Sequence, residues 1–91
     1  MTFDVQYTNR FLKDLKLAKK RKLNTNLLRD VIEKLRTGQK LDNKYHDHQL
    51  SGDYANYREC HIQPDWLLVY KIEMGIMTLT LMRTGTHSDL F

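Results

Sequence analysis

Four histidines could move protons in this chain of 91 residues, at positions 46, 48, 61 and 87. Three fall in one stretch, HDHQLSGDYANYREC followed by HIQPDWLLVYKI, with the only proline, the only tryptophan and three of the five tyrosines. The fourth, His87, lies in MRTGTHSDLF at the end. Histidine is the side chain whose unperturbed pKa, about 6.5, lets it give or take a proton near neutral pH. A cluster of it on a basic chain points to proton transfer on an anionic substrate.

Cutting RNA through its own ribose shows what such chemistry requires. The 2′-OH must lose a proton as it attacks the adjacent phosphate, the leaving 5′-oxygen must gain one, and a cation must stabilise the phosphorane. His46, His48, His61, His87 and Asp65 are candidates for the proton work. Arg58 and Arg83 can make forked contacts with phosphate oxygens. Tyr45, Tyr54, Tyr57, Trp66 and Phe91 offer faces on which splayed bases stack.

Structural roles compete for several of these residues. Trp66 opens an apolar strand, as a core anchor would, and Asp65 after Pro64 suits a turn residue bonding its own backbone. Arg58 alternates with Cys60 and Ile62, as a structural ion-pair partner would. His61 falls on the opposite face, beside Tyr57 and Glu59, toward solvent. Metal binding through His46-Asp47-His48 and Cys60-His61 is the other chemical reading. No CxxC, HExxH or carboxylate-rich cluster supports it, so neither metal nor cofactor is expected.

The elements that must position these groups follow from pattern. Positions 2–7 alternate as a half-buried strand, with Phe3, Val5 and Tyr7 on one side. Thr8 or Asn9 caps a helix carrying Phe11, Leu12, Leu15 and Ala18 at helical spacing. Asn24 or Thr25 starts a second helix, with Leu27, Leu28, Val31, Ile32 and Leu35 on its buried stripe and Gly38 past its end. Strands follow at 57–63, 66–72 and 76–83, turned by Pro64-Asp65 and by Glu73-Met74-Gly75. The middle strand is apolar enough to be buried on both faces. The result is a single α+β domain over 1–91, of order β-α-α-β-β-β: an N-terminal strand, a helical hairpin and an antiparallel three-stranded meander.

A net charge of +4 and a pI near 9.3 suit a polyanionic partner. The charge is concentrated: positions 10–22 hold seven basic residues against one acid, Asp14. Lys13, Lys16, Lys19, Lys20 and Arg21 cover the outer face of the first helix. No apolar run reaches the length of a transmembrane span, and MTFDVQYTNR lacks the pattern of a signal peptide. The lone Cys60 excludes an internal disulfide and reads as a half-buried hydrophobe in a reducing, cytoplasmic setting.

The motifs D-H-x-L-x-G, Y-R-x-x-H, P-D-W and R-T-G-T-H, with the element order, length and basic charge, resemble the YafQ branch of the RelE toxins of bacterial type II toxin–antitoxin systems. The resemblance covers the whole chain and is most specific over 45–91. It implies a RelE-like fold and a metal-independent mRNA endonuclease that inhibits translation by cutting messages in the ribosomal A site. It also implies a cognate antitoxin whose C-terminal part covers the site, with operator DNA bound only through that complex. The functional positions it carries over are His48, His61, Asp65 with Trp66, Arg83, His87 and Phe91. It leads us to expect His87 as general acid and Arg83 on the phosphorane. The base is one of His48, His61 or Asp65, unless Asp65 orients a histidine. Arg58 and the lysines of the first helix with Arg21 would contact RNA phosphates, and Phe91 and Trp66 a base or ribosomal RNA. The contrasting expectation is a RelE/ParE-fold toxin that cuts nothing and inhibits a protein such as gyrase.

Overall fold

The computed structural model describes residues 1–91. Its elements run β1 (Asp4–Tyr7), α1 (Asn9–Lys20), α2 (Thr25–Arg36), β2 (His48–Gln49), β3 (Arg58–Gln63), β4 (Trp66–Glu73), β5 (Thr78–Gly85) and α3 (His87–Leu90). All five strands form one sheet in the order β1-β5-β4-β3-β2. The expected meander is β3-β4-β5, antiparallel throughout, and β1 joins its far edge parallel to β5. Two elements exceed the expected six: the two-residue strand β2 and the single-turn helix α3.

The helix starts follow local chemistry. The Thr8 hydroxyl accepts from Phe11 N–H at 3.0 Å, and the Asn24 side chain accepts from Asn26 N–H at 3.0 Å. Each removes one of the donors that a helix start leaves unpaired. Past the end of α2, Gly38 takes a φ of +77°, which favours a residue without Cβ. None of the helices is long and apolar enough to cross a membrane.

The helical hairpin covers one sheet face. Phe11 and Ala18 of α1 and Leu28, Val31 and Leu35 of α2 pack with Cys60, Ile62, Leu68, Tyr70, Leu79 and Leu81. Trp66 is 2% exposed in this core, and its indole N–H donates to Thr84 Oγ1 at 2.9 Å. The Thr84 hydroxyl in turn donates to the Leu67 carbonyl at 2.7 Å, so no polar group is left stranded. Cys60 is buried, and burial pushes its thiol far above its ordinary pKa, which suits a core side chain and not a nucleophile. β4 is buried on both faces along its first five residues, as its apolar run requires.

β5 carries one irregularity. Val69 faces Arg83 and Tyr70 faces Leu81, so Met82 is an extra residue on β5. Such a bulge re-aims the side chains around it. Here it frees Arg83 to reach Asp14 on α1, with Nε to Oδ2 at 2.7 Å and Nη2 to Oδ1 at 3.1 Å.

Candidate active site

The sheet face away from the helical hairpin carries the chemistry. Directly opposed residues in antiparallel strands share a face. His48 faces Glu59, Glu59 faces Val69, and Val69 faces Arg83, which sets one row across four strands. The next row runs His61, Leu67, Gly85. Glu59 is only 5% exposed, yet the basic side chains its carboxylate meets within 4 Å are two imidazoles. His48 Nε2 lies 3.8 Å and His61 Nε2 3.6 Å from its Oε1. The His61 ring is 5.7 Å from that of His87 on one side and 5.5 Å from that of His46 on the other.

The backbone sets the tautomers. His48 Nδ1 meets the His46 carbonyl at 2.7 Å, and His61 Nδ1 meets the Pro64 carbonyl at 3.2 Å. A carbonyl only accepts, so in both rings Nδ1 carries the hydrogen and Nε2 is the working atom. His87 Nδ1 lies 2.9 Å from Asp65 Oδ1, and the His87 backbone N–H donates to the same oxygen at 3.2 Å. These contacts hold the Asp65 carboxyl below its ordinary pKa. Three imidazoles thus have Nδ1 committed and Nε2 free. His46 serves this arrangement through its left-handed backbone, φ 47° and ψ 42°, which presents its carbonyl to His48. A non-glycine residue there costs roughly 1–2 kcal/mol.

Each letter of R-T-G-T-H has a structural task. Arg83 pairs with Asp14, and Thr84 anchors Trp66. At Gly85, a Cβ would stand 2.9 Å from Asp89 Oδ2, so only glycine leaves α3 room to dock. Thr86 caps α3 in a reciprocal box with Asp89: its hydroxyl accepts from Asp89 N–H at 3.2 Å, and its own N–H donates to Asp89 Oδ2 at 2.9 Å. Asp89 also accepts from Arg21 Nη1 at 2.7 Å, and that pairing holds its carboxyl far below the usual range. His87 then sits at the start of α3, facing Asp65.

Residues 3–91 match the family described as the bacterial toxin of type II toxin-antitoxin system, YafQ. The chain belongs to the YafQ toxin family. It is 39% identical over 89 residues to the mRNA interferase toxin YafQ of Escherichia coli K12, covering 97% of this chain and 95% of that one. The toxin in the crystal structure of the E. coli DinJ-YafQ toxin-antitoxin complex superposes with a TM-score of 0.91 at 38% identity, covering 100% of this chain and 99% of that one. A metal-bound toxin from Helicobacter pylori superposes at 0.92 with 44% identity over the full length of both chains. The RelE-like α+β fold is that of the YafQ structures.

Against this YafQ-family frame, His48, His61, Asp65 and His87 come together, and Arg83 closes the row beyond Val69. Other expectations need correction. Trp66 is buried and offers no face for a base. Arg58 lies on the far side of β3 from Glu59, where its Nη2 pairs with Asp47 Oδ2 at 3.0 Å. Asp47 also accepts from the Tyr70 hydroxyl, so D-H-x-L and Y-R-x-x-H are tied together by a structural network. Arg21 is bound to Asp89 and thereby holds α3, while Lys13, Lys16, Lys19 and Lys20 stay exposed and pair with no carboxylate. Phe91 is 58% exposed.

Glu59 is the member of the cluster that residue types did not bring forward. Strand alternation placed it beside His61, and the missing signal was His48 arriving from β2. A metal would also find different ligands from those the sequence suggested. Cys60 points into the core and Asp47 is engaged, whereas the ligand atoms of Glu59, His61 and His87 lie within 4.8 Å of one another.

Proposed function

We propose that this toxin is an mRNA interferase that cuts messages on the ribosome by attack of a ribose 2′-OH, with side chains supplying base, acid and cation. The observation that carries this reading is the convergence of three Nε2-presenting imidazoles around the nearly buried Glu59. Glu59 is the general base and takes the 2′-OH proton. His87, protonated and donating through Nδ1 to Asp65, gives its Nε2 proton to the leaving 5′-oxygen. Asp65 is the orienting group and not the base, because its Oδ1 already accepts twice from His87. His48 and His61 flank the phosphate and, each carrying a second proton on Nε2 in that step, stabilise the phosphorane together with Arg83. Arg83 uses Nε and Nη2 on Asp14, which leaves Nη1 for a phosphate oxygen.

The E. coli relative's name, mRNA interferase toxin, supports the substrate. The E. coli DinJ-YafQ complex supports a cognate antitoxin as partner. In our reading its C-terminal part covers His87 and Phe91, and operator DNA is bound only through that complex. The site of action is then the cytoplasm, where ribosomes and messages are. The reading in which the fold inhibits a protein such as gyrase leaves the ordered imidazoles without a task.

Induced expression without an antitoxin should arrest growth and cut messages within codons of translating ribosomes. His87→Ala should restore growth with an unchanged circular dichroism spectrum, since the His87 ring is half exposed. A folded His87→Ala protein as toxic as its parent would remove His87 from the mechanism, and growth arrest with intact messages would remove the nuclease.

A further inference from the structure

On the Arg83 side of the cluster lies a cavity of about 210 Å³, which the proton chemistry does not use. Val69 lines it, the residue between Glu59 and Arg83 in the catalytic row, so cavity and cluster are continuous. Its other walls include Tyr54, Tyr57 and Phe91, and Arg10 and Arg83 bring cationic groups to it. Tyr54 is 48% exposed although it is a large aromatic residue. Its ring stands edge-on to Phe91 at 5.8 Å with planes 87° apart, and 6.3 Å from Tyr57.

We infer that this cavity is a nucleobase subsite in which one base next to the scissile phosphate stacks on Tyr54, closed by Phe91 and Tyr57. The inference rests on the nuclease reading above. Drug-sized ligands need roughly 300 Å³ or more, so the volume suits a single heterocycle. Two perpendicular rings give a flat guest one face to stack on and one edge to meet, the geometries that aromatic groups prefer. The cations fit a strand entering from either side. Arg83 is placed for the scissile phosphate and Arg10 for the next one, and neither reads sequence. The walls offer two phenol hydroxyls and no fixed donor–acceptor pair, so the subsite recognises an unstacked base by shape and discriminates little between bases. Of the aromatic faces offered for stacking, Trp66 is buried, and Tyr54 takes that role.

The test uses bacterial ribosomes programmed with a message 2′-O-methylated in the A-site codon, which blocks attack. 2-Aminopurine, whose fluorescence is quenched on stacking, replaces each codon position in turn. Binding of the toxin should quench one position several-fold. Tyr54→Ala should abolish that quench and raise KM for the unmodified message about tenfold, while Tyr54→Phe keeps both near the parent. Quenching that survives Tyr54→Ala, or that occurs at none of the three positions while the toxin co-sediments with the ribosome, overturns the subsite and leaves the nuclease reading standing. No co-sedimentation with programmed ribosomes at all would sink both.

Discussion

The two faces of β3 hold the same kinds of residue in opposite circumstances. On the core side, Arg58 meets Asp47, Asp47 meets Tyr70, and Cys60 and Ile62 are packed under the helices. Tyr70 is held protonated there, because burial and the Asp47 carboxylate push its phenol far above its usual pKa. On the other side, Glu59 and His61 face each other's unfinished valences: an oxygen and an Nε2 at 3.6 Å, with no arginine or lysine to settle them. One face is saturated and contributes stability; the other is left incomplete for a substrate to finish. A strand's period of two keeps these duties on adjacent residues without interference.

That separation gives the largest expected effects. Glu59→Gln keeps the shape of the side chain and removes the base, so kcat for A-site codon cleavage should fall by about 10²–10⁴. Its midpoint in urea, followed by circular dichroism, should not fall. Trp66→Ala should do the reverse by a different route. Removing a buried tryptophan, and with it the donor to Thr84 Oγ1, costs about 3–5 kcal/mol, a large share of a small domain's stability. Equal loss of stability in both variants would break the division of labour between the faces.

Legibility in the sequence follows the same line. The alternation of Arg58, Cys60 and Ile62 against Tyr57, Glu59 and His61 was readable because a strand's period is short and local. So were α1 and α2, whose apolar stripes and cap residues lie within a few positions of one another. What could not be read joins distant residues without a period: Asp65 to His87, Arg83 to Asp14, Arg21 to Asp89, and β1 alongside β5. β2 and α3, at two and four residues, are too short to show any period. The pattern around Trp66 and Arg58 fits a structural and a functional role equally, and only packing shows which way each side chain turns.

On the incomplete face, the next effect is smaller. Asp65→Asn keeps an oxygen for His87 Nδ1 but removes the charge that orients and favours the imidazolium. Loss of such an outer partner typically costs 10–100-fold, here expected in kcat with KM nearly unchanged. A rise in KM with kcat intact would instead make Asp65 a substrate contact.

Acid should loosen the site before it unfolds the core, and the sign follows from two carboxyls. Asp65 and Asp89 both titrate below the ordinary range in the folded protein. In the unfolded chain an aspartate takes its proton near roughly pH 3.9. The docking they provide is therefore complete above that value and is lost only as pH falls through their lower folded values. Amide protection of Phe91, which donates to the His87 carbonyl at 2.9 Å, should persist at pH 4 and disappear below it. Loss already at pH 5 would mean that α3 does not depend on these carboxylates.

The smallest effect belongs to the basic helix, and it also tests whether Arg21 differs from its lysine neighbours. Lys13, Lys16 and Lys19 are exposed and unpaired, so reversing them to glutamate should weaken ribosome association and flatten its dependence on salt, as expected when phosphate contacts release counterions. Cleavage of bound message should then proceed at the parental rate, since none of the three lies in the catalytic row. Arg21→Ala should behave otherwise. It frees Asp89, loosens α3 and lowers kcat a few-fold, while the salt dependence stays close to the parent's because its guanidinium is already engaged. If Arg21→Ala changes the salt slope as each lysine does, the Asp89 pairing yields to RNA. Arg21 would then be a phosphate contact after all.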